Sequence, residues 1–138
     1  TPDVATAPPV RSGHTGGNGL REGGPVAQHY HEVMDAVRVS YQELQEAIPG
    51  VASGYAEMHK AAMGEGELSA KVKELMALAI AITRECDGCI ASHARAAVRR
   101  GATAAEVAET VGVAILMNGG PATVWGPRAL DAFHEFGG

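Results

Sequence analysis

Apolar residues recur along this chain at steps of three and four, the period of a helix face, and nowhere in the strict alternation of a strand. The first such run follows Pro25, a residue suited to the first helical position. Val26, Tyr30, Val33, Val37, Tyr41, Leu44 and Ile48 predict an amphipathic helix that Pro49 and Gly50 end. Pro49 in turn opens a second helix through "VASGYAEMHKAAM", which Gly64 and Gly66 stop. Ser69 is a good N-cap for a third, "AKVKELMALAIAITRE", whose centre from Leu75 to Ile82 is apolar almost all round and is therefore expected as the buried hub. A fourth is expected from around Cys86 to Arg100, with Gly101 as its stop. Thr103 and Glu106 have the spacing of a capping box and open a fifth, with Val107, Val111, Ala114 and Ile115 facing inwards. The last segment, "NGGPATVWGPRALDAFHEF", is predicted to be helical in its second half, after a break at Gly126 and Pro127. The fold class is all-α, with about six helices and no internal repeat.

Ahead of this region, residues 1–24 are rich in Pro, Gly and Thr and lack periodicity, which predicts a flexible N-terminal arm before a helical domain at 25–138. A chain of 138 residues fits one domain. It is 46% hydrophobic but only 4% aromatic, so its core must come from small aliphatic side chains that suit close helix packing. A formal net charge of -5 excludes a nucleic-acid footprint, which needs clustered Lys and Arg. No apolar run is long enough to span a membrane. The opening residues lack the basic and apolar blocks of a leader, and the expected location is cytoplasmic.

Only "ECDGCIASH" brings two thiols, an imidazole and carboxylates into one short stretch. On a helix, Cys86, Cys89 and His93 lie within about 60° of one another, so all three address one side. Half-ionising a free thiol of pKa about 8.5 at pH 7 requires a shift of about 1.5 units, or about 2 kcal/mol. A helix N-terminus gives about 0.3 to 1 kcal/mol, so a base must supply the rest. His93, four residues after Cys89, is placed to do so. Cys86 has Ile90 at the equivalent position and carboxylates on either side, Glu85 and Asp87. Cys89 is therefore assigned as nucleophile and Cys86 as its resolving partner. Glu74 has two readings. It is the polar edge of the third helix beside Lys71 and Lys73, the commoner arrangement on spacing alone, or a buried carboxylate that orients His93. His29 and His31, two apart, point to different sides of their helix and do not make a paired metal site, and His59 has no partner nearby in sequence.

The run "KELMALAIAITRECDGCIASHARAAVRRGATAAEVAE" resembles the carboxymuconolactone decarboxylase-like superfamily, and within it the alkylhydroperoxidase D branch. The resemblance extends over about 69–133 and rests on a Glu twelve residues before a C-x-x-C, then a His four after the second Cys: Glu74, Cys86, Cys89 and His93. Gly101, Thr103 and Glu106 continue it. It implies an orthogonal helical bundle, oligomeric as a trimer or hexamer, in which a Glu–His relay activates the Cys nearer the His for attack on a hydroperoxide. The other Cys then closes a disulfide, and an external dithiol such as a lipoyl-bearing or thioredoxin-like protein reduces it, without a cofactor. In the best-known members a further His precedes the second Cys; here Gly88 stands there.

Other chemistries fit less of the pattern. Zinc has three obvious ligands in Cys86, Cys89 and His93, with Glu74 or His134 as the only recruits for a fourth. C-type haem attachment needs His where Ile90 stands, and a thioredoxin fold needs strands. A general thiol-disulfide oxidoreductase and a non-redox binding or assembly protein remain as alternatives on the same scaffold.

Overall fold

Tyr30 marks the place where the first predicted stripe divides. The computed structural model describes residues 29–138, so the arm expected at 1–24 and the helix start expected at Pro25 lie outside the described residues. Helix α1 (His29–Ala47) buries Tyr30 and rests Val33 and Met34 against the core. Further along the same stripe Val37 and Leu44 are about half exposed, at 50% and 49%. Helix α2 (Pro49–Met63) follows through Pro49 at its first turn and buries only Ala52. It leaves Val51, Tyr55 and Met58 open to solvent.

The remaining four helices form the core: α3 (Ala70–Thr83), α4 (Asp87–Arg99), α5 (Ala104–Asn118) and α6 (Gly120–Glu135). Among the described residues there is no strand. Leu78, Ile82, Ile90, Val107 and Phe133 are its largest fully buried side chains, and alanines fill most of the remaining interior, including Ala91, Ala94, Ala97, Ala122 and Ala129. Small side chains let helix backbones approach closely, which is how a chain so poor in aromatic residues still closes a core. The expected hub, α3, packs against α2, α4, α5 and α6. Its apolar girdle is nevertheless covered on one side only: Leu78, Ala81 and Ile82 are buried, while Met76 and Ile80 face outwards.

The predicted starts of α3 and α5 are both present. Ser69 Oγ accepts the Val72 amide at 3.2 Å. Thr103 Oγ1 accepts the Glu106 amide at 3.2 Å while Glu106 Oε2 accepts the Thr103 amide at 2.8 Å, closing the capping box. Lys71 then donates to Glu106 Oε1 at 2.7 Å, tying the start of α3 to that of α5. This contact and the box hold the Glu106 carboxyl below its ordinary value.

Two expectations are corrected. Helix α3 ends at Thr83 rather than running to Glu85, because the chain closes it with a Schellman turn. The Glu85 amide donates to Ile82 O at 3.1 Å and the Cys86 amide to Ala81 O at 3.2 Å, with Glu85 left-handed at φ 54. The break expected at Gly126 and Pro127 is absent, and α6 runs unbroken from Gly120 through both. Tertiary packing overrides the local signal here. Gly126 is buried against α5, where a Cβ would come within 2.5 Å of Val111 Cγ1, so the glycine is the point of closest approach rather than a stop.

Candidate functional site

The Schellman turn delivers Cys86 to the N-cap of α4. From there its Sγ accepts the Cys89 amide at 3.2 Å. The two sulfurs are joined as a disulfide, with the Cα atoms 5.2 Å apart, so the protein is seen in its oxidised form. Cys86 is half-buried and Cys89 exposed. One turn further on, His93 rises from the same face of α4 as Cys89.

Glu74 settles between its two readings in favour of burial. It is buried, with a side chain only 6% exposed. Its Oε2 lies 2.8 Å from His93 Nδ1, across the α3–α4 contact. A carboxylate removed from water needs a partner, and the partner here is an imidazole. With Nδ1 turned to Glu74, the ring's other nitrogen, Nε2, is the one that remains for proton exchange. Glu74 and His93 thus meet across the α3–α4 contact, and the two cysteines stand at the N-terminal end of α4, one and two turns before that imidazole.

The histidines of α1 divide as their spacing requires. His31 Nδ1 lies 2.9 Å from Glu135 Oε1 of α6. His29 Nε2 points the other way, 3.6 Å from Asp87 Oδ2 at the start of α4. His134 lies on α6 with Nδ1 3.0 Å from the Gly138 carbonyl oxygen. Among the described residues no three His, Cys, Asp or Glu side chains stand together in a metal-holding arrangement.

Three side chains packed around this turn carry no functional signal in the sequence, where Tyr30 and Val37 read only as helix-face residues and Arg128 not at all. Arg128 of α6 donates from Nη1 to Asp87 Oδ1 at 3.4 Å and lies over the Trp125 ring, 4.3 Å from its centroid. Tyr30 is buried beside this pair; burial, and then the charge of Asp87, push its hydroxyl up to about 12. Val37 of α1 closes the space over Gly88, where a Cβ would meet Val37 Cγ2 at 3.3 Å. A side chain at that position would need the Val37 methyl to give way.

Comparison with known proteins agrees with this architecture. The chain is 39% identical over 100 residues to an uncharacterized protein of Cupriavidus necator, covering 72% of this chain and 88% of that one. It is 41% identical over 104 residues to an uncharacterized protein of Haemophilus influenzae, covering 75% and 92%. The crystal structure of the apo form of a carboxymuconolactone decarboxylase family protein from Legionella pneumophila superposes with a TM-score of 0.79 at 32% identity, over 81% of this chain and all of that one. No described helix is long and apolar enough to cross a membrane. Residues 49–132 match the model of the carboxymuconolactone decarboxylase family, and the chain belongs to that family.

Proposed function

We propose that the protein is a thiol-dependent peroxidase of the alkylhydroperoxidase D type, with Cys89 as nucleophile, Cys86 as resolving cysteine and Glu74–His93 as the proton relay. The observation that carries this reading is the buried Glu74 carboxylate held 2.8 Å from His93, one turn beyond a disulfide-forming pair. In the reduced enzyme His93 takes the Cys89 proton through Nε2, and Glu74 stabilises the imidazolium that results. The Cys89 thiolate attacks one oxygen of the hydroperoxide. The O–O bond breaks, Cys89 becomes a sulfenic acid, and the alkoxide leaves as the alcohol with the proton returned by His93. Cys86 then bonds to the Cys89 sulfur, and the Cys86 proton and the sulfenic hydroxyl depart together as water. A dithiol reductant, of the lipoyl-bearing or thioredoxin-like class, resets the pair and becomes a disulfide itself.

A second reading, a general thiol-disulfide oxidoreductase with little peroxidase activity, draws support from Gly88 and the Val37 side chain above it, which leave the dithiol with one imidazole on its own helix. Stopped-flow hydroperoxide consumption with dihydrolipoamide separates the two. The peroxidase reading expects turnover by wild type and none by Cys89→Ser or Cys86→Ser. Disulfide turnover without peroxide consumption gives the second reading, and absence of both overturns the dithiol chemistry.

The same proposal takes the open faces of α1 and α2 as contacts between copies of the chain. Val51, Tyr55 and Met58 are 67%, 55% and 61% exposed on a helix of 15 residues, a length that is marginal in water without tertiary cover. Light scattering is expected to show an oligomer; a monomer contradicts this part.

A further inference from the structure

Cys86 has Ile90 rather than an imidazole four residues on, and the residue after it, Asp87, is an anion where a thiolate must form. An uncompensated carboxylate at that distance holds a thiol in its protonated state, because like charges disfavour one another's ionised forms. Two helices answer that charge. Arg128 of α6 reaches Oδ1 at 3.4 Å, and His29 of α1 faces Oδ2 at 3.6 Å. Stacking on Trp125 holds the guanidinium in place, and an arginine, unlike a histidine, carries its charge at every relevant pH. The other ionisable neighbours do not replace it. Tyr30 of α1 and Asp131 of α6 are neutral or acidic, and Arg84 and Glu85 in the turn from α3 are both exposed and opposite in sign. Meanwhile the Cys86 sulfur already occupies the N-cap, where the Cys89 amide and the positive end of α4 favour an anion.

We propose that Arg128 is a positioning residue for the dithiol: by neutralising Asp87 it lets the N-terminus of α4 ionise Cys86, in place of an imidazole at position 88. The inference rests on the dithiol chemistry proposed above, in which Cys86 must release its proton as its sulfur bonds to Cys89 and the sulfenic hydroxyl leaves as water. It also accounts for an anion tolerated between the two cysteines.

The test reads the Cys86 thiolate itself and needs no peroxide activity. In reduced Cys89→Ser protein, the rate of alkylation by iodoacetamide is followed across pH to titrate Cys86 alone. Adding Arg128→Gln is expected to raise that pKa by about half a unit to one unit, a roughly three- to tenfold smaller thiolate fraction at neutral pH, the pair being partly exposed. Arg128→Lys, which keeps the charge, recovers most of the loss. Asp87→Asn combined with Arg128→Gln restores the original titration, a rescue that a merely structural role does not give. Asp87→Asn alone lowers the pKa, and serves if Arg128→Gln does not fold. An unmoved titration in Arg128→Gln, or no rescue by Asp87→Asn, overturns the proposal. Should Asp87→Asn alone leave the pKa unchanged or raise it, the proposal falls as well. These shifts in a protein that consumes no peroxide leave the role of Arg128 standing and overturn only the peroxidase reading.

Discussion

Two carboxylate–imidazole pairs in this protein have almost the same geometry and opposite surroundings. Glu74 meets His93 at 2.8 Å and Glu135 meets His31 at 2.9 Å, and both carboxylates are 6% exposed. Glu135, however, also accepts the His31 backbone amide at 2.9 Å. Burial pushes the Glu135 carboxyl up, but donation from the His31 amide and ring and from the Tyr30 amide outweighs it and holds the group below its ordinary value. Glu135 therefore ties α1 to α6 by accepting from backbone amides as well as from a ring. Among the described residues Glu74 accepts from no backbone group; its one hydrogen-bond partner there is an imidazole that can change protonation state, and a cysteine stands one turn before that imidazole. The distance between acid and base does not reveal a role. What else the carboxylate holds does.

The contrast breaks most visibly on exchanging each carboxylate for its amide. Glu74→Gln is expected to lower the single-turnover rate of peroxide attack by a hundredfold or more, on the order of what a positioned proton relay contributes, while the protein stays folded. Glu135→Gln is expected to leave that rate unchanged and to cost about 1 to 3 kcal/mol in urea unfolding, because the α1 amide of His31 loses its charged acceptor on α6. Equal rate losses in the two variants would erase the distinction.

A steric test sharpens it next. Gly126→Ala places a methyl 2.5 Å from Val111 Cγ1 and is expected to destabilise the protein by about 1 to 3 kcal/mol. It loosens α6, the helix that carries Glu135, and leaves the α3–α4 junction that carries Glu74 and His93 in place. Chemical unfolding and the single-turnover rate, measured together, separate these effects.

Acid unfolding adds a third comparison. Because the folded-state pKa values of Glu135 and Glu106 lie below the unfolded ones, the unfolded chain binds more protons as pH falls. Their stabilisation is complete above the ordinary carboxylate value and is lost as pH drops through the lowered folded values. Glu135→Gln is therefore expected to flatten the acid limb of a stability–pH profile; an unchanged limb would deny that this carboxylate ties α1 to α6. The smallest effect belongs to Glu85, left-handed at φ 54 where the equivalent turn after α4 uses Gly101 at φ 76. Glu85→Gly is expected to stabilise by about 0.5 to 1 kcal/mol without altering the rate, as thermal melts would show.

Much of this was legible in the sequence because it is local. Ser69, the Thr103–Glu106 box and the Cys86, Cys89 and His93 stripe depend on spacings of three to seven residues, which one helix fixes by itself. Glu74 was ambiguous for a physical reason: spacing puts it on a face of α3, but only packing decides that α4 covers that face. The Arg128–Asp87 contact, 41 residues apart, follows no periodic rule. Nor does periodicity tell which part of an apolar stripe finds cover, so Tyr30 and Leu44 read alike in sequence and differ in the fold. At Gly126 and Pro127 the local signal was clear and was overruled by the close approach of α5.

The most direct test of the central claim is where peroxide oxidises the chain. Reduced Cys86→Ser protein is treated with one equivalent of an organic hydroperoxide in the presence of dimedone, and the adduct is located by mass spectrometry. The account predicts a sulfenic adduct on Cys89, formed much more slowly when Glu74→Gln is added. No adduct on Cys89, with ready adduct formation on Cys86 in the Cys89→Ser protein, would contradict it.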